Sequence, residues 1–512
     1  MKSRLKYLAL ACVLAACSSI KKMPGNNSYQ EQHRPQYHFT PPAKWMNDPN
    51  GMVYHNGVYH MFYQHYPDST VWGPMHWGHA TSKDLVHWQQ QPIALYPDSL
   101  GYIFSGSAVI DHKNTSGFGK DGKMPMVAIF THHNIKGERE KRNDFQYQSI
   151  AYSLDEGKTW IKYSGNPVLK NPGIVDFRDP KVSWYEKGQK WIMTLATKDR
   201  VTFFSSPNLK DWKKESEFGQ SVGAHGGVWE CPDLFPLELD GKTYWVLLVS
   251  INPGGPNSGS ATQYFIGDFD GSKFTPVSTE TKWVDWGADN YAGVTWANTG
   301  SRKIFLGWMS NWQYAQTVPT QLWRSAMTIP RELSLKTVGS NIYLASMPVA
   351  ELSEIVSKNS SMQNVELKES LDLSGKFEKF KGQFQLKLES DQIKDYSIVL
   401  SNDLGEELVI GYDKRTNQYF VDRSKAGKIA FEKGFGAKHT APRLSDSEKT
   451  NLTLLVDVAS VELFADNGLN VMTDIFFPNK NLTKVSIKSA DGFTIKNLSY
   501  SKVKGIWKEK KW

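Results

Sequence analysis

Residues 79–88 read HATSKDLVHW, and versions of this stretch return three more times along the chain. The copies lie at 151–160 (AYSLDEGKTW), at 204–212 (FSSPNLKDW) and, more loosely, at 265–274 (FIGDFDGSKF). Each joins a strand-like run to a turn rich in Asp, Gly, Ser and Lys and ends on an aromatic residue, a pattern typical of β-hairpins. Repeated units of several short strands predict the blades of a β-propeller, whereas a solenoid would have shorter and more regular repeats.

A second set of recurring segments, which we call the marks, carries polar and acidic residues. The marks lie at 47–48 (ND), 104–107 (FSGS), 178–180 (RDP), 229–233 (WECPD) and 289–291 (DNY). Five marks predict five blades. If each mark opens the innermost strand of its blade, residues far apart in sequence meet in one polar funnel at the central channel. Four of the five marks contribute a carboxylate to that funnel.

The composition changes after about residue 350, where Trp becomes scarce and Lys, Ser and Leu increase. Alternating apolar and polar residues at 380–388 and 451–458 indicate strands with one buried and one solvated face. The sequence therefore predicts an all-β chain. A five-bladed β-propeller covers residues 37–346, a linker covers 347–360, and a C-terminal β-sandwich covers 361–512.

The N-terminus has the features of a secretion signal. Three basic residues precede a short apolar run at 8–16, which is too short to span a bilayer, so residues 1–16 are predicted to be a signal peptide. The sequence LAAC at 14–17 resembles a bacterial lipobox and implies a lipid on Cys17. Residues 17–36 are then a polar tether, and the protein is expected in the bacterial cell envelope, facing the periplasm or the medium. Its only membrane contact is this lipid anchor.

The charge and the cysteine count exclude several classes of function. The formal charge of +8 falls to +5 when the three basic residues of the signal are removed, and the remaining basic residues are dispersed, which gives no support for nucleic-acid binding. Only Cys231 remains besides Cys17, so an internal disulfide is not expected. The spacing of Cys and His residues matches no zinc site. We therefore expect neither a metal nor an organic cofactor.

Three acidic residues in the marks differ in their sequence surroundings. Hydrolysis of a glycosidic bond needs one carboxyl group that donates a proton and a second that attacks or activates water. Asp48 lies among polar amides, which favour an ionised nucleophile. Glu230 follows Trp229 in an apolar context, and such burial raises the pKa of a general acid. Asp179 follows Arg178, whose charge favours the ionised form. One such Asp alone would indicate only a turn; the joint pattern is what indicates catalysis.

These residues resemble a known family, glycoside hydrolase family 32. The resemblance extends by motif over residues 37–345 and, by position and character, over the C-terminal region. The segments that match in order are 45–51 (WMNDPNG), 62–64 (FYQ), 72–73 (WG), 104–107 (FSGS), 178–180 (RDP), 230–231 (EC) and 289–292 (DNYA).

The resemblance implies a five-bladed propeller followed by a β-sandwich, and a retaining invertase, inulinase or levanase activity on fructose-containing substrates. It makes Asp48 the nucleophile, Glu230 the acid/base and Asp179 the stabiliser of the transition state. Cys231 is expected to be a packing residue beside the acid/base. The residues expected to line the fructosyl pocket are Asn47, Gln64, Trp72, Ser105, Arg178 and Asp289, with aromatic walls from Trp45, Phe104 and Trp312.

Several alternatives stay open from sequence alone. The substrate could be levan, inulin or sucrose, and attack could be internal, although DNYAG at 289–293 favours release of fructose from chain ends. The stretch SLDEGKTW at 153–160 matches the Asp-box of sialidase-type propellers, but it occurs in one clean copy and lacks the arginine cluster of those enzymes. A non-catalytic fructan-binding lipoprotein is disfavoured by the intact Asp48, Asp179 and Glu230.

Overall fold

The computed structural model describes residues 29–507, and almost all of their regular structure is β-strand. The predicted signal peptide over 1–16 and the predicted lipidation site at Cys17 lie outside the described residues. Within 29–507, no helix combines the length and the apolar character needed to cross a membrane.

The N-terminal part of the chain forms five antiparallel sheets. The first contains β1 (Lys44–His55), β2 (Val58–Tyr66), β3 (His76–Ser82) and β4 (Trp88–Leu95). The second contains β5 (Tyr102–Ile110), β6 (Met126–His133), β7 (Gln146–Ser153) and β8 (Ile161–Lys162), with helix α1 (Ile135–Arg139) between β6 and β7. The third contains β9 (Phe177–Tyr185), β10 (Lys190–Thr197), β11 (Val201–Ser206) and β12 (Lys213–Phe218), with a 3-10 turn at Glu186–Gly188.

The two remaining sheets are built in the same way. The fourth contains β13 (Val228–Leu239), β14 (Lys242–Asn252), β15 (Ala261–Phe269), β16 (Phe274–Pro276) and β17 (Lys282–Trp283). The fifth contains β18 (Tyr291–Thr295), β19 (Ile304–Met309), β21 (Ala326–Met327), β22 (Arg331–Val338) and β23 (Asn341–Pro348). The short strand β20 (Trp323–Arg324) pairs with β1 and so joins the end of the ring to its beginning.

The five sheets close into a ring around an axis. The first strand of each sheet contacts the first strand of the next sheet, and β18 in turn contacts β1. An isolated bridge between Val53 and Ala297 adds a direct link between the first and fifth sheets. The predicted five-bladed propeller is therefore confirmed, and its innermost strands are the ones that carry the marks.

Each innermost strand has a β-bulge where it pairs with the second strand of its sheet. The innermost strand advances three residues where its neighbour advances two, at 46–49, 103–106, 178–181, 230–233 and 291–294. A bulge interrupts the alternation of side chains and redirects the residues within it. Three bulge residues accordingly have a positive φ: 64° at Asp179, 46° at Cys231 and 53° at Ala292. Four of the marks in the sequence overlap these bulges, and the fifth reaches its bulge only at Tyr291, because Asp289 and Asn290 precede β18.

The C-terminal part of the chain forms two packed six-stranded sheets. A 3-10 turn, Ala350–Glu354, leads into β24 (Ser360–Leu367), β25 (Ser370–Asp372), helix α2 (Ser374–Phe377), a 3-10 turn at Glu378–Phe380, β26 (Phe384–Ser390), β27 (Tyr396–Ser401), β28 (Glu407–Asp413) and β29 (Gln418–Lys425). The chain continues through β30 (Lys438–Pro442), β31 (Thr450–Asp457), β32 (Ser460–Ala465), a 3-10 turn at Asp466–Gly468, β33 (Asn470–Ile475), β34 (Lys484–Lys488) and β35 (Phe493–Lys502).

The two sheets have the strand orders β24-β35-β26-β31-β32-β33 and β25-β34-β27-β28-β29-β30. Apolar side chains from both sheets, among them Leu386, Ile398 and Leu463, form one buried core between them. This arrangement is the predicted β-sandwich.

The propeller and the sandwich meet through buried charged groups. The Arg331 guanidinium lies 2.9 Å from an Asp285 oxygen of the propeller and 3.1 Å from a Glu462 oxygen of the sandwich, and all three side chains are buried. Asp285 also accepts a hydrogen bond of 2.8 Å from the backbone N–H of Thr473. Removing one partner of such a network leaves a charge buried without compensation, so these contacts fix how the two parts are docked.

The predicted tether over 17–36 differs from the structure in its last part. Residues 29–36 pack against the folded domains: His33 Nε2 lies 2.8 Å from the carbonyl oxygen of Pro478, and Arg34 is fully buried. The polar side chains here bind carbonyl and carboxylate oxygens of the protein instead of water, which composition alone does not reveal. A tether that precedes the fold must end before residue 29.

His38 is a second buried link between the two parts. Its Nδ1 lies 2.9 Å from Asp457 and its Nε2 lies 2.8 Å from Glu462. Burial alone lowers the pKa of His38, but the two carboxylates outweigh burial and raise the pKa to about 9. The charged form therefore stabilises the fold fully below about pH 6.5, the ordinary pKa of histidine. This contribution is lost as the pH rises through about 9.

We expect His38→Asn to lower the free energy of unfolding by about 3 kcal/mol at pH 6, because it leaves two buried carboxylates without their cation. The difference from wild type should shrink at pH 9.5, and denaturant unfolding at the two pH values measures it. The control is His112→Asn, since His112 is exposed. A loss that is equal at both pH values would contradict the assigned charge of His38.

Candidate active site

A pocket lies at the bulges of the innermost strands, four of which contribute residues to its lining. Its volume is about 290 Å³. The residues that line it are Asn47, Asp48, Gln64, Trp72, Phe104, Ser105, His133, Glu138, Phe145, Gln146, Asp176, Arg178, Asp179, Glu230, Trp312 and Gln316. The structure thus brings together every residue of the predicted catalytic and fructosyl-binding set except Asp289 and Trp45.

Asp48 lies in the bulge of β1 and is held by three neighbours. Ser105 Oγ donates a hydrogen bond of 2.9 Å and Asn47 Nδ2 one of 3.0 Å, and Cys231 Sγ lies 3.6 Å from the same carboxylate. Burial, followed by the charge of Glu230, raises the pKa of Asp48 to about 6, although both hydrogen bonds lower it. The polar neighbours in the sequence predict a carboxylate with an ordinary pKa, but burial raises this pKa by more than the neighbours lower it.

Asp179 is buried in the bulge of β9. Its carboxylate accepts a hydrogen bond of 3.0 Å from the backbone N–H of Cys231. The pKa of Asp179 is raised to about 7. Burial is the largest cause; the charge of Arg178 acts against it, and the charges of Glu230 and Asp48 add to it. Arg178 thus acts in the direction expected from the sequence, but its effect is smaller than that of burial.

Glu230 has polar partners where the sequence suggested apolar ones. Its Oε1 accepts two hydrogen bonds of 3.0 Å from the Arg178 guanidinium, and its Oε2 accepts one from the Tyr291 hydroxyl. Trp229, the apolar neighbour in sequence, points to the other face of β13 and packs in a separate buried cluster, because successive side chains of a strand alternate. The surroundings of Glu230 are therefore ionic and phenolic.

Asp289 does not enter the pocket, which corrects its predicted role in binding the fructosyl unit. Its buried carboxylate accepts hydrogen bonds of 2.7 Å from Arg423, 2.6 Å from the Tyr314 hydroxyl and 2.9 Å from the backbone N–H of Ile475. These three partners hold the Asp289 carboxylate at the boundary between the propeller and the sandwich. Tyr291, two residues later, is the member of this mark that reaches the site.

Aromatic side chains form the walls of the pocket. Trp72 and Phe104 contact each other edge to face, with ring centroids 6.0 Å apart. Trp312 stacks on Trp45 at 5.9 Å. Trp45 itself is fully buried, so it supports the wall from behind. Gln64 adds a polar group to the lining of the pocket. Its buried amide Nε2 has no hydrogen-bond partner within residues 29–507.

Several lining residues had no signal in the sequence. His133 ends β6, Glu138 lies in α1 and Gln146 begins β7 of the second blade, and Asp176 and Gln316 come from loops. None belongs to a repeated segment, so only the folded chain shows their place. Within the described part of the chain, no three His, Cys, Asp or Glu side chains are placed to hold a metal ion.

Comparisons with known proteins agree with this architecture. Residues 38–348 match the model for the glycosyl hydrolases family 32 N-terminal domain, and residues 351–503 match the model for the family 32 C-terminal domain. A levanase of Bacillus subtilis is 45% identical over 521 residues, which cover 99% of this chain and 76% of the relative. An extracellular exo-inulinase of Aspergillus niger is 41% identical over 504 residues, covering 91% of this chain and 94% of the relative.

Solved structures give the same result. A crystal structure of the exo-inulinase from Aspergillus awamori superposes with a TM-score of 0.85 at 37% identity, covering 94% of this chain and all of the other. The β-fructofuranosidase from Schwanniomyces occidentalis, complexed with fructosyl-erythritol, gives a TM-score of 0.83 at 32% identity and covers 93% of this chain and 99% of the other. With family models that match both of its parts, the chain belongs to glycoside hydrolase family 32.

Proposed function

We propose that the protein is a retaining β-fructofuranosidase that hydrolyses fructans, levan or inulin, from their chain ends and also accepts sucrose. The observation that carries this proposal is the convergence of Asp48, Asp179 and Glu230 in one aromatic-walled pocket. Relatives named levanase and exo-inulinase support the choice of fructans. The pocket has a volume of about 290 Å³, and such a size suits a terminal sugar unit.

In the first step, an Asp48 carboxylate oxygen attacks the anomeric carbon of the fructosyl unit. The bond from that carbon to the leaving oxygen breaks, and Glu230 gives its proton to this oxygen. A covalent fructosyl-enzyme results. In the second step, Glu230 takes a proton from water, the water oxygen bonds to the anomeric carbon, and the ester to Asp48 breaks. Two inversions release fructose with its original configuration.

The surroundings of each carboxyl group suit its proposed role in the reaction. Asp179 lies close enough to Asp48 and Glu230 for their charges to raise its pKa, so it can stabilise positive charge that develops on the sugar ring or bind its hydroxyl groups. Ser105 and Asn47 orient the Asp48 carboxylate. Arg178 and Tyr291 hold the two oxygens of Glu230 in place.

The proposal also includes a location. A lipid on Cys17 would anchor the enzyme in the bacterial cell envelope, where it would meet extracellular fructan. This part rests on the basic and apolar residues of 1–16 and on LAAC at 14–17. Mass spectrometry of the mature protein tests it, since the N-terminal peptide should begin at Cys17 and carry acyl chains.

Purified enzyme incubated with levan, inulin or sucrose should release free fructose from the first minutes. Glu230→Gln should lower kcat on these substrates by about 10²- to 10⁴-fold, the usual contribution of a general acid. Early samples analysed by chromatography measure both. A ladder of oligosaccharides that precedes free fructose would overturn the chain-end mode of attack, and no product from any of the three substrates would overturn the proposed activity.

The pH dependence should follow the ionisation of Asp48, which must be charged to attack. Since burial and Glu230 raise its pKa to about 6, kcat/KM should fall as the pH drops below about 6. Glu230→Gln removes a neighbouring charge, so this acidic limb should move to lower pH. The comparison uses an aryl fructoside whose leaving group needs no proton. An acidic limb that stays in place would show that Glu230 does not raise the pKa of Asp48.

A further inference from the structure

A chain of hydrogen bonds connects the rim of the pocket to Glu230. His133 Nε2 lies 3.0 Å from Glu138 Oε2, and His133 Nδ1 lies 3.2 Å from Gln146 Nε2. Gln146 Oε1 accepts a hydrogen bond of 3.4 Å from Arg178 Nη1. Arg178 in turn donates two hydrogen bonds of 3.0 Å to Glu230 Oε1. Every member of this chain lines the pocket.

The orientation of the Gln146 amide is fixed by its neighbours. The backbone N–H of Phe177 donates to Gln146 Oε1 at 2.9 Å, and Arg178 donates to the same oxygen. A flipped amide would place its NH₂ group against both donors. The NH₂ group therefore faces His133, and because an amide nitrogen can only donate, His133 Nδ1 must accept. The ring proton consequently lies on Nε2 and is donated to Glu138.

The position of the His133 ring favours this neutral form. The ring is buried and stacks on Phe104, with centroids 4.2 Å apart and an interplanar angle of 10°. Burial lowers the pKa of His133, and the charge of Arg178 lowers it as well, whereas Glu138 and Asp176 act in the opposite direction. A protonated ring would present a hydrogen to the Gln146 NH₂ group and break the connection to Arg178.

We propose that His133 is a positioning residue: held as the Nε2–H tautomer by Glu138, it fixes Gln146 and Arg178 and so orients Glu230 for proton transfer to the leaving oxygen. The inference rests on the proposed function, since it needs Glu230 as the acid. Asp176 also binds Arg178; it holds the guanidinium from one side, and Gln146 supplies the second contact that sets its angle.

The test separates orientation of the acid from a general loss of structure. His133→Gln moves the acceptor for Gln146 one bond further out than Nδ1, and His133→Phe removes the acceptor while it keeps the stack on Phe104. On sucrose, whose leaving group needs a proton, kcat/KM should fall by about 10- to 100-fold, as expected when a catalytic group is misplaced. On p-nitrophenyl β-D-fructofuranoside, whose leaving group needs none, the same variants should lose less than about threefold.

A conservative variant and a matched control sharpen the test. An Asn side chain places its carbonyl oxygen near the position of Nδ1, so His133→Asn should be about tenfold more active on sucrose than His133→Gln. His132, whose Nδ1 lies 2.7 Å from Ser149 Oγ and which does not line the pocket, supplies the control. His132→Gln should keep the wild-type ratio of the two activities.

Gln146→Leu breaks the next link and should show the same dependence on the leaving group, which keeps the test valid even if a His133 variant fails to fold. Equal losses on the two substrates, or a His133→Asn variant no better than His133→Gln, would overturn the positioning role while the wild-type activity still stands. For a wild-type enzyme that does not accept sucrose, levan replaces it in the test; a wild-type enzyme inactive on sucrose, levan and inulin would instead overturn the proposed function and this role with it.

Discussion

The candidate active site depends on three carboxyl groups, the buried Asp179 and the half-buried Asp48 and Glu230, that line one pocket with a single guanidinium, Arg178. Carboxylates placed together in a poorly solvated site cannot all ionise at low cost. Arg178 offsets part of this repulsion by binding Glu230, but the pKa values of Asp48 and Asp179 stay raised, first because of burial and then because of the neighbouring carboxylates. Asp48 therefore keeps its proton up to a higher pH than an ordinary aspartate, and this proton must leave before Asp48 can attack.

The bulges of the innermost strands are the backbone counterpart of this electrostatic arrangement. Five strands converge at the axis, and a regular strand would turn alternate side chains away from it. One extra residue in each strand redirects the functional side chains toward one space. The positive φ values of Asp179 and Cys231 belong to this geometry. The rigid ring thus holds side chains that no single blade could assemble.

Sequence reasoning reached the blade count and the convergence of the acidic marks because both follow from recurrence, whereas Gln64, Trp72 and Trp312 were reached only through the resemblance to the family. It failed where neighbours in sequence are not neighbours in space. Trp229 suggested an apolar setting for Glu230 but points away from it, and Asp289 suggested a sugar contact but binds Arg423. The connection through His133 and Gln146 had no repeated pattern and could be found only from the folded chain.

The ion pair between Asp289 and Arg423 has a consequence for how enzymes of this family can diversify. Tyr291, which binds the proposed acid/base Glu230, lies two residues from Asp289, whose carboxylate is bound by Arg423 of the sandwich. The sandwich thereby supports the framework of the candidate active site and is not an interchangeable domain. A recombination event that replaced it would have to present an arginine at the same point, so the two halves are expected to be inherited together and to accumulate compensating substitutions across their shared boundary.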